Sequence, residues 1–215
     1  MAALTLDDGP NEFATPLILD VLAARGAPAT FFVFGERASR HPDLVARMVE
    51  SGHAVQPHCW GSHASHHEMD RPELEADVAR TVGVIEQLGA PTPRLWRPPN
   101  GDIKAPDSYE VAAANGLELV TWTLQTCDWQ DDRPAESILR EIDDEEREDA
   151  VLRADSVVLM HDVPEAPKLL AGLLDRMDAR GFEPELLSPD NAATARGGDY
   201  TFGRQDGKLP CGLGE

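Results

Sequence analysis

The chain has 215 residues, of which 41% are hydrophobic, and carries a formal net charge of -20 at pH 7. A chain of this length and composition can bury a substantial core and fits one domain. The negative charge disfavours nucleic acids and anionic membranes as partners, because both attract basic protein surface. We therefore expect no nucleic acid, no membrane and no polyanionic substrate, and the substrate should be neutral or cationic.

Short apolar strands alternate with helices along the chain. Such alternation predicts a parallel sheet with helices outside it, and about seven units favour a distorted or incomplete (β/α) barrel over an open sheet. Residues 1–190 are assigned to this domain, and residues 191–215, rich in glycine and polar residues, to a C-terminal tail that is not a separate domain. Strands are predicted at 4–6, 29–33, 53–56, 94–97, 117–124, 156–160 and 182–186, and helices at 15–25, 42–51, 72–88, 107–115, 134–147 and 165–180.

The location and the redox state follow from weaker signals. No apolar stretch is long enough to span a membrane, and no secretory signal precedes the first predicted strand. A cytoplasmic location is therefore expected, with secretion as the alternative if residues precede Met1 in the natural protein. Cys59, Cys127 and Cys211 give an odd count without paired spacing, so no disulfide framework is predicted.

Polar side chains with catalytic chemistry follow the predicted strands at the point where each strand ends. They lie on the face where the active sites of (β/α) barrels assemble, which structural polar residues have no reason to favour. These residues are the adjacent carboxylates Asp7 and Asp8, then His58, Arg97, Asp128 and the pair His161 and Asp162.

A histidine-rich segment is the candidate metal site. Imidazole nitrogen suits zinc and its neighbours in the first transition series. His63 follows His58 by five residues, whereas two ligands on one helix are normally four apart, so this pair requires a loop or a distorted turn. His63 and His67 are four apart and form a rival pair, and His66 is a further alternative.

Other residues suit acid–base chemistry and substrate binding. His161 can act as a general acid or base near neutral pH, and Asp128 offers a carboxylate that would orient it and hold it protonated. Arg97 can pair with the buried carboxylates. Three apolar side chains are expected to wall a groove that excludes water, namely Trp60, Trp129 and Leu159.

The order of five motifs resembles the polysaccharide deacetylase family, also called carbohydrate esterase family 4, whose domain is a distorted (β/α) barrel. The resemblance covers roughly residues 1 to 188. Its motifs are Thr5-Leu6-Asp7-Asp8-Gly9-Pro10, the histidines from His58, Arg97-Pro98-Pro99-Asn100-Gly101, Cys127-Asp128-Trp129 and Leu159-Met160-His161-Asp162. Gln125 and Asn100 depart from the family pattern, which suggests a substrate other than long chitin or peptidoglycan strands.

The resemblance implies a metal-dependent hydrolase that removes N-acetyl or O-acetyl groups from an amino sugar, an oligosaccharide or a polysaccharide. It implies one divalent transition metal, with zinc as the first expectation and cobalt, nickel or manganese as alternatives. The resemblance implies that Asp7 is the base and that Arg97 supports it. Asp8, His58 and His63 are the implied metal ligands. Asp128 and His161 are the implied proton-donating pair, and Leu159 is implied to line the acetyl pocket. The backbone N–H of Asn100 is the expected oxyanion donor.

Two other hypotheses compete with this one. A glycosidase that uses Asp7 with a second carboxylate would leave the histidines without a role. A sugar-binding relative, or an amide hydrolase of different specificity, with an altered or lost metal site would keep the fold and most of the motifs. Metal content separates this last hypothesis from the deacetylase.

Overall fold

The computed structural model describes residues 2–103, 107–131, 133–144 and 151–192, except for the side chains of residues 64, 65 and 67. The strands are Ala2–Asp7 (β1), Thr30–Phe34 (β2), Ala54–Cys59 (β3), Leu95–Trp96 (β4), Glu118–Leu119 (β5), Leu124–Gln125 (β6), Val157–His161 (β7) and Pro184–Glu185 (β8). The helices are Ala14–Arg25 (α1), Gly35–Arg40 (α2), Pro42–Glu50 (α3), His63–Glu68 (α4), Arg71–Gln87 (α5), Asp107–Ala114 (α6), Ala135–Ile142 (α7) and Ala166–Arg180 (α8), with a 3-10 turn at Pro99–Gly101.

The described strands pair in parallel and form an incomplete barrel. The main sheet has the order β3-β2-β1-β7-β6, and β8 pairs with the beginning of β1. β4 and β5 pair separately with each other. The described strands therefore do not close into a complete ring, which confirms the prediction of a distorted or incomplete (β/α) barrel.

The side chains of β1 point alternately into two apolar layers. Leu4 and Leu6 belong to the larger core cluster, which includes residues of α1 and α8, whereas Ala3 belongs to an inner cluster with Phe32 and Leu159. Successive side chains of a strand point to opposite faces. Asp7 therefore shares the inner face with Ala3, so β1 directs this carboxylate towards the barrel interior.

The strand predicted at 117–124 is wrong as a single element. The chain changes pairing partners within it: the Val120 N–H donates to the Trp96 carbonyl at 2.9 Å, whereas the Thr123 N–H donates to the Val157 carbonyl at 2.9 Å. A continuous apolar run does not reveal which strand it pairs with, so the sequence could not show this switch.

Several smaller features also differ from the sequence predictions. α2 and α4 were not predicted. α7 spans Ala135–Ile142 and is therefore shorter than the helix predicted at 134–147. Residues 145–150 lie outside the described part of the chain. Cys127 takes part in a disulfide, while Cys59 is a buried free thiol. A single disulfide is not the framework that the cysteine count argued against. Spacing along the chain does not decide which cysteines meet in space. None of the described helices is both long and apolar enough to cross a membrane.

Candidate metal centre and catalytic residues

Asp7 is a buried carboxylate held by one guanidinium. Arg97 Nη1 donates to Asp7 Oδ1 at 2.8 Å and to the Thr5 hydroxyl at 2.7 Å. Arg97 Nη2 donates to the Thr121 carbonyl at 2.8 Å, and the guanidinium carbon lies 4.2 Å from the centre of the Phe32 ring. Because Arg97 is completely buried, these contacts fix its position, and the hydrogen bond from Arg97 goes to Oδ1 of Asp7 rather than to Oδ2.

Asp8 turns away from Asp7 at the end of β1. Its N–H still donates to the Phe32 carbonyl at 3.1 Å, but its φ of 73° ends the extended strand. Asp is one of the few residues that enters this left-handed region readily. Arg37 Nη1 donates to the Asp8 carbonyl at 2.7 Å and holds the turn. The two adjacent carboxylates therefore point to different partners.

Asp8, His58 and His63 form a compact set of ligand atoms. The ligand atoms of all three lie within 4.8 Å of one another. Asp8 Oδ1 is 3.4 Å from His58 Nε2 and 2.9 Å from His63 Nε2. Two atoms bound to a tetrahedral zinc ion at 2.0–2.1 Å lie about 3.4 Å apart. The donor set therefore fits one divalent transition metal with little rearrangement.

The environment of the three side chains also suits a cation. The Nδ1–H of His58 donates to the Arg97 carbonyl at 2.7 Å, which leaves Nε2 with the lone pair that a metal requires. Burial lowers the pKa of His58 and so favours this neutral form. For Asp8, burial opposes ionisation, but the His63 hydrogen bond and electrostatic attraction to the neighbouring histidines, His58, His161 and His63, lower its pKa to about 2.

The histidine pair comes from two elements rather than one helix. His58 is in β3 and His63 is the first residue of α4, which explains the spacing of five. His66 is buried, and its ring faces Trp96 at a centroid distance of 6.1 Å. His66 is not among the three clustered ligands, and the side chain of His67 lies outside the described residues. The geometry therefore favours His63 as the second histidine, and its metal-binding role stays a prediction.

His161 and Asp128 form a buried pair at the ends of β7 and β6. The Nδ1–H of His161 donates to Asp128 Oδ1 at 2.8 Å, and the His161 backbone N–H donates to Asp128 Oδ2 at 2.8 Å. The Thr126 hydroxyl donates to Asp128 Oδ1 at 2.9 Å. Burial acts to lower the pKa of His161, but Asp128, with smaller contributions from Asp8 and Asp7, raises it to about 9. His161 is therefore protonated at neutral pH and keeps Nε2–H free of Asp128.

The candidate base, Asp7, and the candidate acid, His161, lie side by side on neighbouring strands. Asp7 and His161 are paired in the register of β1 and β7, and the Asp162 N–H donates to the Asp7 carbonyl at 3.0 Å. In adjacent parallel strands, paired residues point to the same face. Both side chains therefore belong to the inner face of the barrel, beside the Asp8 cluster.

Asp162 holds the turn after β1, next to Asp7 and Asp8, in place. The sequence did not reveal this role. It is buried, and its Oδ2 accepts a hydrogen bond from the Thr15 hydroxyl of α1. A Cβ added to Gly9 would lie 2.6 Å from the same oxygen, so any larger residue at position 9 would displace the Asp162 carboxylate. Burial raises the pKa of Asp162 to about 6, against the lowering effects of Thr15, the Asn11 backbone and Arg37.

The four predicted pocket residues occupy different environments. Leu159 is buried in the inner apolar cluster, whereas Asn100 is exposed in the 3-10 turn with a φ of 56°. Trp129 is 45% exposed and follows Asp128. Trp60 packs against the Arg80 guanidinium, whose carbon is 3.4 Å from the ring centre, and leaves no room for a Cβ on Gly35. Trp60 therefore has a packing role in addition to the predicted contact with substrate.

Known proteins match this chain in sequence and in fold. The polysaccharide deacetylase family model matches residues 1–120. A chitooligosaccharide deacetylase from a Bradyrhizobium species is 36% identical over 163 residues, which are 74% of this chain and 69% of that protein. A peptidoglycan-N-acetylglucosamine deacetylase from Bacillus cereus is 34% identical over 128 residues, 60% of this chain. The match spans 46% of that relative, so the chain corresponds to about half of its length.

Two solved structures agree with the fold and include small ligands. A family 4 carbohydrate esterase from Streptomyces lividans in complex with acetate has a TM-score of 0.79 and 28% identity, over 89% of this chain and 94% of that one. A family 4 acetyl xylan esterase from Clostridium thermocellum in complex with a cobalt ion has a TM-score of 0.75 and 29% identity, over 86% of this chain and 87% of that one. On the family match over more than half of its length, and on these similarities, the protein belongs to the polysaccharide deacetylase family.

Proposed function

We propose that this protein is a metal-dependent hydrolase that removes acetyl groups, chiefly N-acetyl groups, from an amino sugar, an oligosaccharide or a polysaccharide. The observation that carries the proposal is the convergence of three sets of residues at one edge of the barrel. These are the metal-ligand cluster of Asp8, His58 and His63, the Asp7–Arg97 pair and the Asp128–His161 pair. Amide hydrolysis needs an activated water, a base and an acid, and each set suits one of these needs.

The family is metal-dependent, and the donor set suits a first-row transition metal. Two imidazole nitrogens and one carboxylate oxygen leave open positions for water and substrate, as in catalytic zinc sites. When bound, the metal would acidify water and polarise the acyl carbonyl. Zinc is the first candidate, with cobalt, nickel and manganese as alternatives, since ligand type alone does not distinguish them.

Asp7 acts as the base in this proposal. Arg97 occupies Oδ1, and Oδ2 lies 3.9 Å from His58 Nε2, on the side of the ligand cluster. A water attacking the acetyl carbonyl from that side would give its proton to Oδ2. Arg97 offsets the buried negative charge of Asp7 and orients it, which is the support that a positioned base needs.

His161 acts as the acid. An amine is a poor leaving group unless it is protonated, and His161 carries a proton on Nε2 while Asp128 holds Nδ1. The backbone N–H of Asn100 is the proposed donor to the oxyanion, because Asn100 lies in an exposed 3-10 turn three residues after Arg97. Leu159 would contact the acetyl methyl group.

The proposal is tested by acetate release from metal-loaded protein. The protein is stripped with a chelator, reloaded separately with zinc, cobalt, nickel or manganese, and assayed on acetylated glucosamine oligomers, peptidoglycan fragments and acetylated xylan. Acetate release that depends on metal and disappears in Asp8→Ala is the expected result. Metal-loaded protein that binds these sugars but releases no acetate would overturn the proposal. A protein that takes up no metal would instead favour the sugar-binding alternative.

A further inference from the structure

A cleft of about 530 Å³ adjoins the catalytic pair. It lies between the loop that follows β6 and the loop that follows β7, and Asp128 forms part of its wall. Its lining residues are Asp128, Trp129, Gln130, Asp131, Arg133, Pro134, Val163, Pro164 and Glu165. Sites at the carboxyl ends of neighbouring strands are where barrel enzymes bind their substrates. A substrate positioned at His161 would therefore extend naturally into this cleft.

Trp129 gives the cleft a flat apolar surface. It is 45% exposed, although most large apolar side chains of the described chain are buried. An exposed indole beside polar groups suits a ligand with one apolar face and a polar edge. A pyranose ring has both, and a volume in the range of 300–1,000 Å³ is typical of small-molecule sites. The cleft is therefore large enough for one sugar unit.

The charges in the cleft favour a cation. Arg133 is the one lining residue with a positive charge, and its Nη2 contacts Glu141 at 2.5 Å, so its charge is already paired. Asp131 has no ion pair among the described residues. Glu165 forms an ion pair with Lys168 at 3.3 Å, but that pair is exposed and weak, so Glu165 remains able to attract a second cation. A neutral acetamido group gains nothing from these carboxylates, whereas a protonated amine would be attracted to them.

We propose that this cleft binds an amino sugar whose amine is free and protonated, next to the acetylated unit that is hydrolysed. The inference rests on the proposed function and narrows its substrate class to partly deacetylated amino-sugar chains. In that class, Trp129 contacts the ring face, and Asp131 and Glu165 attract the ammonium group. Each completed hydrolysis would create a free amine and so make a neighbouring site on the same chain a better substrate.

The test compares two oligosaccharides of equal length. One carries acetyl groups on every unit, and the other carries a free amine next to one acetylated unit. The ratio of kcat/KM between them is measured at low salt and at a pH where the amine is protonated. We expect the amine-bearing oligomer to be preferred, and Asp131→Asn combined with Glu165→Gln to reduce this preference by about 3- to 10-fold, the range for two exposed ion pairs. Added salt should reduce it as well.

Two matched variants make the result specific. Asp43→Asn combined with Glu86→Gln removes the same charge from exposed positions of α3 and α5, and it should retain the preference. Trp129→Ala should lower kcat/KM for both oligomers by a similar factor, because contact with the ring face does not depend on the amine. The proposal is overturned if the cleft double variant and the control double variant show the same ratio, or if wild-type protein prefers the fully acetylated oligomer.

Binding without turnover separates this inference from the proposed function. Calorimetry with a fully deacetylated glucosamine oligomer requires no hydrolysis, and spermidine serves as a cation without a sugar ring. The cleft proposal predicts that the glucosamine oligomer binds. Its affinity should be lower for Trp129→Ala and also for the double variant at Asp131 and Glu165. Equal binding of spermidine, insensitive to Trp129→Ala, would mean general attraction of cations and would overturn the proposal. If the oligomer binds as expected but no substrate releases acetate, the proposed function fails and the cleft assignment stands.

Discussion

Replacing Asp128 with asparagine should convert His161 from a proton donor into a neutral imidazole. The substitution keeps the size of the side chain and an oxygen that can accept the His161 Nδ1–H, but it removes the negative charge. That charge is the main cause that raises the pKa of His161 from 6.5 to about 9, against the lowering effect of burial. Without it, burial is unopposed except by the more distant Asp7 and Asp8, and the pKa of His161 should fall to its unperturbed value or below.

The size of the effect follows from the shift. Two to three pKa units correspond to about 3 kcal/mol of preference for the imidazolium form. At pH 7.5, a group with a pKa of 9 is roughly 97% protonated, whereas one with a pKa of 6.5 is roughly 9% protonated. The rate of amide hydrolysis should therefore fall about 10-fold or more at this pH. A bound metal cation lowers the pKa of His161 in both proteins, so the comparison requires the same metal in each.

The assay is the pH dependence of kcat/KM for an acetylated amino sugar and for an activated aryl acetate. The alkaline limb of the amide profile should move to lower pH by about two units in Asp128→Asn, while the aryl ester, whose leaving group needs little protonation, should change much less. Asp43→Asn, the same substitution at an exposed site of α3, is the control. An alkaline limb that stays in place, or equal losses on both substrates, would remove His161 from the acid role.

Four other results are expected from the same geometry. Asp7→Asn should retain metal and lose activity by ~10²–10⁴-fold, because an amide cannot accept the proton of water; near-normal turnover would show that the base lies elsewhere. His63→Ala should weaken metal binding in a competition titration much more than His66→Ala, and the reverse order would exchange their roles. Arg97→Met should lower the free energy of unfolding by about 3–5 kcal/mol in urea titration, because Asp7 is left buried without its cation. In metal-free protein, the stability that the raised pKa of His161 confers should be complete below pH 6.5 and lost as the pH rises through about 9, with this slope absent in Asp128→Asn.

The fold was largely predictable where a strand is a continuous apolar run between two turn signals. β1, β2 and β7 are buried along their whole length and appear in the sequence as such runs. The prediction failed between residues 117 and 124, where the chain leaves Trp96 and joins Val157. Pairing partners are a property of the tertiary structure, and hydrophobic pattern alone does not determine them.

The candidate site was predictable to the extent that strand ends identify it. Every residue assigned to the acid, the base or the metal lies at or just beyond the carboxyl end of a strand, except His63, which begins α4. The contact between Asp162 and Thr15 could not be predicted, since the two residues are 147 positions apart. Its one signal was the position of Asp162 directly after His161, and that signal does not name a partner.

The three carboxylates of the site differ in the cation that each one faces, and this difference supports the roles proposed for them. Asp7 faces a guanidinium that does not titrate near neutral pH, so its charge is offset and one oxygen is available for a proton. Asp128 faces an imidazole that can release a proton, which supports the proposed role of the pair as a proton donor. Asp8 faces two imidazoles that can become neutral and coordinate a metal together with it. A buried carboxylate requires a compensating positive group in any case. Three different partners at one end of the barrel would therefore give chemically identical carboxylates the three proposed roles, as base, as partner of the acid and as metal ligand.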